Sequence, residues 1–290
     1  MKVIVIGANG YIARNLILKL AIKHEVFSFV KKYHQDRLNE NNIFETKDLA
    51  QVRINIINIQ PDIIINLASG YSVQHNYVGI KTIIDTEISL SAHLAEICCE
   101  FGIYLIQTKS LFQKSTKGSG INLYAASKNA RDELMHYFTI FNKLKLINIL
   151  LGDVYGYADN RKKLIPSVIA HIKSESKSDF TLENPDKKFY PIYLDDVLKV
   201  IEIVINKIDI GDIELGDVQC FPPDSMTLNS FVNKVQANIS KARFHVSWMG
   251  ISTDFRETEL VIPRNFISLL AEFTPFETGF QTVLKLSGIK

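Results

Sequence analysis

The chain is short of cysteine, with three in 290 residues: Cys98, Cys99 and Cys220. Three thiols cannot all pair, two of them are neighbours, and no C-x-x-C or Cys/His spacing suggests zinc. Neither a disulfide framework nor a metal site is expected, and a reducing compartment is the simplest setting. A surplus of charge is equally absent. Lys and Arg number 33 against 31 Asp and Glu, which argues against the basic face or tail of a nucleic-acid binder. No apolar run approaches the ~20 residues of a membrane span. The N-terminal run Val3–Ile6 ends at Gly7, too soon for the core of a secretion signal, so a soluble cytoplasmic protein without a membrane partner is expected. Repeats, low-complexity segments and flexible linkers are missing too. What remains is 47% hydrophobic and 22% charged, an ordinary globular composition with ample core for one large domain or two joined lobes.

The first half alternates short β-branched runs with helical patterns. Val3–Ile6, Val26–Val30, Ile63–Leu67, Tyr104–Gln107 and Leu146–Leu151 read as strands, with a weak one at Ile43–Thr46. Their nearly continuous apolar character predicts burial on both faces, as in a parallel sheet. Between them, Tyr11–Ile22, Leu49–Ile59, Ile80–Phe101 and Tyr124–Phe141 read as helices, and Lys114–Asn122 as an exposed loop. This rhythm predicts an α/β fold built on a doubly wound parallel sheet. After about Gly152 the elements shorten and proline concentrates. Residues 1–152 with 187–210 are expected to form a nucleotide-binding domain. Residues 153–186 with 211–290 are expected to form a smaller α/β substrate-binding lobe.

Three local signals carry chemistry. Gly7-Ala8-Asn9-Gly10-Tyr11-Ile12-Ala13 follows the first strand and opens a helix. Its glycines let backbone N–H groups approach a pyrophosphate at the positive end of the helix. A site preferring NAD places a carboxylate at the end of the second strand, on the ribose 2′-hydroxyl. Here that strand ends in Lys31-Lys32, which favours the 2′-phosphate of NADP(H), with NAD as the alternative. Finally, Tyr124 and Lys128 stand four apart on a helix, so the ammonium lies beside the phenol. A neighbouring cation lowers a phenol's pKa and makes it a usable proton donor.

In this order the motifs resemble the extended short-chain dehydrogenase/reductase family of Rossmann-fold enzymes, which includes nucleotide-sugar epimerases, dehydratases and 4-ketoreductases. The likeness extends to Asn66-Leu67-Ala68, Val154-Tyr155-Gly156, Ile192–Val197 and the segment from Phe273 to Phe280. The resemblance implies Thr108, Tyr124 and Lys128 as catalytic residues, with Ser110 as the other candidate hydroxyl. It implies a cofactor site from Gly7, Asn9, Gly10, Tyr11, Ile12, Lys31, Lys32, Leu67 and Ala68 together with Tyr124 and Lys128. Ser69, Tyr71, Thr108, Ser110, Asp153 and Lys188 would meet the substrate.

Departures narrow the choice. Sixteen positions separate Thr108 from Tyr124, so the intervening loop is trimmed. Glu87 replaces a frequent asparagine, Phe189 an arginine that often contacts the sugar nucleotide, and Asp153 an asparagine before V-Y-G. Lys109-Ser110 stand where 4,6-dehydratases resemble one another in carrying Asp-Glu, so elimination is disfavoured. The missing ribose carboxylate disfavours an epimerase, which must retain its NAD. The resemblance implies an NADPH-dependent reductase of a nucleotide-linked 4-keto deoxyhexose. An epimerase of the same family and a non-catalytic NADP(H)-binding sensor are the other readings. Ile80, Ile83, Ile84, Leu94 and Ile97 offer more apolar surface than one sheet face needs, and relatives pair these helices, so a homodimer is expected.

Overall fold

The computed structural model describes residues 1–32, 42–46, 48–70, 76–113, 122–175, 178–239, 244–249 and 265–289. They fall into two compact units. Described residues of Met1–Leu150 and Ile201–Gln219, with 265–269, make the first; the second comprises those of Leu151–Val200 with 220–249 and 270–289.

The first unit opens with β1 (Lys2–Ile6), α1 (Tyr11–Leu20), β2 (Glu25–Val30), β3 (Ile43–Glu45), α2 (Leu49–Ile59) and β4 (Ile63–Asn66). There follow α3 (Tyr77–Ile83), a π-helical stretch (Ile84–Leu90), α4 (Ser91–Phe101), β5 (Tyr104–Ser110), α5 (Leu123–Asn142) and β6 (Leu146–Leu151). The helix expected over Ile80–Phe101 is therefore three pieces, with the widened turns in its middle. Side-chain caps set several helix starts: Asp48 accepts from the Ala50 N–H at 2.9 Å, and Asn122 from the Ala125 N–H at 2.8 Å. At the other end of α2, Gln60 turns left-handed (φ 53°) and Pro61 forbids continuation.

Seven strands form the main sheet in the order β11-β6-β5-β4-β1-β2-β3, where β11 is Gly216–Cys220. The pairs β1–β2, β1–β4, β2–β3 and β4–β5 run parallel. Register explains the unbroken apolar strands. Ile4, Ile6, Phe27, Phe29, Ile64 and Leu105 pack on one face with Val52 and Ile56 of α2, Leu94 and Ile97 of α4 and Met135 of α5. Alternation sends Val3, Val5, Ile63 and Ile65 to the opposite face, and all four are fully buried. Burial on both faces is what a doubly wound sheet requires. Strand β11 was not anticipated, because Asp217 and Gln219 interrupt its apolar character. Among the described residues no helix is long and apolar enough to cross a membrane.

The second unit contains β7 (Asp153–Tyr155), α6 (Leu164–Lys173), β8 (Phe180–Glu183), β9 (Lys188–Phe189) and β10 (Pro191–Tyr193). Helix α7 (Leu194–Asp209) begins here and ends in the first unit. Next come β12 (Met226–Thr227), α8 (Leu228–Asn238), β13 (Val246–Met249) and α9 (Phe276–Leu286). Residues 187–200 group with this unit because β9 pairs with β12 and β10 with β7. Phe189 is buried edge-on to Phe231, which in turn meets Phe276. The position where relatives often hold an arginine is thus part of an aromatic core.

Candidate active site

The glycine turn is shaped by close backbone contact. Gly7 has φ +79°, and a Cβ there would stand 2.7 Å from the backbone of Ala68, so a side chain is excluded twice over. The Gly7 and Ala8 N–H groups donate to the Phe29 carbonyl at 2.9 and 3.1 Å, which fixes the turn against the end of β2. Asn9 Nδ2 donates to the Lys32 carbonyl at 2.8 Å, so the exposed Lys31 and Lys32 are tied to the same turn. Gly10 caps α1 without any side-chain acceptor, and the first turn, with Tyr11 and Ile12, holds no acidic residue. Asn9 Oδ1 is buried with no hydrogen-bond partner among the described residues. An uncapped helix mouth and adjacent cations fit a dinucleotide phosphate, whereas the unmet Asn9 acceptor fits a donor such as a ribose hydroxyl. Leu67 and Ala68 follow β4 directly; Asn66 Oδ1 accepts from the Ala68 N–H at 3.2 Å while its Nδ2 reaches Ser91 Oγ at 3.3 Å.

Helix α5 brings Tyr124 and Lys128 together as their spacing requires. The Lys128 ammonium lies 5.1 Å from the centroid of the Tyr124 ring, within cation–π range. Tyr124 Oη and Ser69 Oγ are 3.2 Å apart and share a hydrogen bond. Lys128 is 2% exposed. Burial, reinforced by the neighbouring Arg131 cation, pushes its ammonium down to about 8, and the Glu87 carboxylate at 3.4 Å opposes that fall. Arg131, one turn further along α5, is also buried and spans Glu87 Oε2 at 3.1 Å and the Thr108 carbonyl at 2.8 Å. Glu87 itself is fully buried.

The two candidate hydroxyls lie on one strand. β5 continues through Ser110, further than the sequence suggests, so Thr108 is inside the strand. Residues two apart share a face, which puts Thr108 and Ser110 on the same side and Lys109 on the other. Lys109 Nζ meets Asp217 at 3.0 Å and Asp132 at 3.3 Å. Asp217 also accepts from Asn148 at 2.7 Å, and Asn148 from Gln107 at 2.8 Å. The residue after Thr108 is thus engaged in a polar network instead of supplying an acid or base.

Ser69, Thr108, Tyr124 and Lys128 belong to the first unit. Asp153 and Lys188 belong to the second, where Lys188 is exposed on β9. Asp153 Oδ2 accepts from the Tyr190 N–H at 3.2 Å, and burial raises its carboxyl to about 6 against the pull of Lys163. Tyr71 and residues 114–121 of the anticipated loop lie outside the described residues. Reading the sequence passed over Arg131, although its spacing of three from Lys128 and seven from Tyr124 is the signal of a shared helix face.

Comparison with known proteins adds four findings. The model of the NAD dependent epimerase/dehydratase family matches residues 3–216. CDP-abequose synthase of Yersinia pseudotuberculosis is 24% identical over 82% of this chain and 86% of its own length. GDP-6-deoxy-D-talose 4-dehydrogenase of Aggregatibacter actinomycetemcomitans is 25% identical over 72% of this chain and 71% of its own. Among solved structures, Thermus thermophilus UDP-glucose 4-epimerase in complex with NAD superposes with a TM-score of 0.73 over 99% of both chains, at 16% identity.

Proposed function

The chain belongs to the NAD dependent epimerase/dehydratase family, and within it we propose an NADPH-dependent reductase of a nucleotide-linked 4-keto deoxyhexose. It is an enzyme of nucleotide-sugar chemistry that uses a nicotinamide cofactor. The observation that carries the finer reading is the pairing of Tyr124 with Lys128 beside a strand whose next side chain, Lys109, is bound to two carboxylates. That arrangement provides a proton donor for a new alkoxide and no acid–base pair for elimination. The similarity to a CDP-abequose synthase and to a GDP-6-deoxy-D-talose 4-dehydrogenase supports oxidation-state chemistry at a deoxyhexose.

The residues divide the work as follows. Gly7, Asn9, Gly10, Tyr11 and Ile12 hold the pyrophosphate, Lys31 and Lys32 the 2′-phosphate, and Leu67 and Ala68 line the cofactor's path. Bound NADPH supplies the hydride. Tyr124 gives its phenolic proton to the developing alkoxide, worth roughly 10²–10⁴ in rate. Lys128 stabilises the phenolate left behind and binds the nicotinamide ribose. Thr108, with Ser110 on the same face as the alternative, donates a hydrogen bond to the reacting oxygen. Tyr71, Asp153 and Lys188 serve the nucleotide sugar.

The test is incubation of the purified protein with NADPH and a panel of CDP-, dTDP- and GDP-linked 4-keto-6-deoxyhexoses. Stoichiometric loss of the reduced-nicotinamide absorbance with appearance of the alcohol is expected. Interconversion of C4 epimers without net consumption of NADPH would identify an epimerase instead. Tight NADPH binding with no turnover of any sugar would identify a sensor.

A further inference from the structure

We propose that Glu87 is the positioning residue of this site, a single buried carboxylate holding Ser69 against Tyr124 with one oxygen and Lys128 and Arg131 with the other. The inference rests on the reading of Tyr124 and Lys128 given above, and it assigns a role to the residue that departs from the family's asparagine.

The geometry is specific. Oε1 accepts from Ser69 Oγ at 3.0 Å and from the Gly70 N–H at 3.2 Å. Oε2 faces Lys128 Nζ at 3.4 Å and Arg131 at 3.1 Å. Through Ser69 the carboxylate reaches Tyr124, through Arg131 it reaches the Thr108 carbonyl, and Lys128 it touches directly. Every group assigned to proton delivery is thus tied to Glu87 in one or two steps. The residue sits in the π-helical stretch Ile84–Leu90, a local widening found disproportionately at functional sites.

Folding alone does not call for this arrangement. Glu87, Lys128 and Arg131 have side-chain exposures of 0, 2 and 1%. A buried ion cluster costs desolvation that well-packed apolar side chains of the same size avoid. What apolar side chains cannot provide is an acceptor for Ser69. That hydroxyl has one hydrogen and two acceptors within reach, Glu87 Oε1 and Tyr124 Oη. Before substrate binds, the Tyr124 phenol donates to Ser69 and Ser69 donates to Glu87; when the substrate oxygen arrives, the phenol turns its one hydrogen to it. Once the phenolic proton has gone to the substrate oxygen, Ser69 turns its hydrogen to the phenolate, and no O–H bond breaks in that turn. Glu87 keeps the Gly70 N–H and both cations throughout, so the switch leaves no buried charge unpaired.

Among the described residues the charged groups around Lys128 are few. Arg131, Asp132 and the Tyr124 phenol stand on its own helix, and Glu87 on the π-helical stretch. From β5, Lys109 is turned to Asp132 and Asp217. On α4, His93 is bound at the Leu49 carbonyl, and Glu96 and Glu100 pair with Arg53. Among the described residues Glu87 is therefore the carboxylate in direct contact with Lys128. Removing it lowers the ammonium's pKa by roughly one unit or more, the effect of losing an opposite charge at this range.

The test compares Glu87→Gln and Ser69→Ala with wild type, with Tyr124→Phe as control. NADPH affinity is followed by fluorescence between pH 6 and 10, and kcat and KM are measured for the keto sugar. Glu87→Gln should move the alkaline loss of both NADPH binding and kcat down by about one pH unit or more. Ser69→Ala should lower kcat about three- to tenfold, as for one lost hydrogen bond, with the alkaline limb unchanged. An unshifted limb in folded Glu87→Gln overturns the proposal. If Glu87→Gln does not fold, Ser69→Ala decides alone, and wild-type kcat or a raised KM without loss of kcat overturns it. Near wild-type turnover by Tyr124→Phe instead sinks the underlying reading, and the role of Glu87 falls with it.

Discussion

Replacing Asp153 with asparagine should stabilise the protein at neutral pH and do nothing in acid. Burial raises the Asp153 carboxyl from 3.8 to about 6, and Lys163, the Tyr190 N–H and Lys187 only partly resist. A carboxyl whose pKa is higher folded than unfolded favours folding while it is protonated. Below pH ~4 both states carry the proton and no penalty exists; the penalty grows between ~4 and ~6 and is complete above. At about 1.36 kcal/mol for each pH unit between the two values, the full penalty approaches about 3 kcal/mol. Asparagine avoids it, since its amide oxygen accepts the same Tyr190 N–H. One effect subtracts: Asp153 supports the charge of Lys163, itself pushed down by burial, so about 3 kcal/mol is the upper bound. On a chain of this size that corresponds to at most about 5 °C in Tm. Thermal denaturation of both proteins from pH 4 to 8 measures it. A Tm for Asp153→Asn no higher than wild type at pH 7, or a gain as large at pH 4, would refute the reasoning.

Three further outcomes are expected. Wild type should bind NADPH more tightly than NADH, and Lys31→Ala/Lys32→Ala should weaken NADPH far more than NADH; calorimetric titration showing a wild-type preference for NADH refutes the assignment. Tyr124→Phe should keep the fold and NADPH binding but lose ~10²–10⁴ in turnover, with Thr108→Val severe and Ser110→Ala mild in the same assay; the reverse order would move the catalytic hydroxyl two residues along β5. A homodimer should form through the exposed Tyr77, Val78, Ile80 and Ile84 with Tyr137, Ile140 and Phe141 of α5. Ile83, Leu94 and Ile97 are fully buried within the unit and contribute nothing to it. Light scattering that finds only a ~33 kDa species in dilute buffer refutes the dimer.

Much of this architecture is local, and local order is what a sequence displays. Apolar runs marked β1, β2, β4, β5 and β6 because strands buried on both faces have no polar side to break the pattern. Asp48 before α2 and Pro61 after it punctuate that helix with side chains that act within a few residues. Tyr124 and Lys128 were legible together since one helix turn places them. What escaped was set by contacts distant in sequence. Ser69 meets Glu87 across 18 positions and Tyr124 across 55, and no periodicity encodes either. Strand β11 belongs to the sheet through β6 although its own residues are mixed. The widened turns at Ile84–Leu90 leave the apolar periodicity nearly intact, so α3 and α4 read as one helix.

Glu87 shows how a departure from a family pattern can matter more than a match. An asparagine there is neutral, and Lys128 and Arg131 would then be two buried cations without a carboxylate between them. With Glu87, two cations share one anion, and the next carboxylate, Asp132, is already committed to Lys109 and more distant from Arg131 at 3.5 Å. Burial pushes the Lys128 ammonium down to about 8, and Glu87 is the carboxylate that chiefly opposes that fall. An asparagine at position 87 would remove that support and leave both cations to Asp132 alone, so on the proposal above the carboxylate is what keeps a charged Lys128 beside Tyr124.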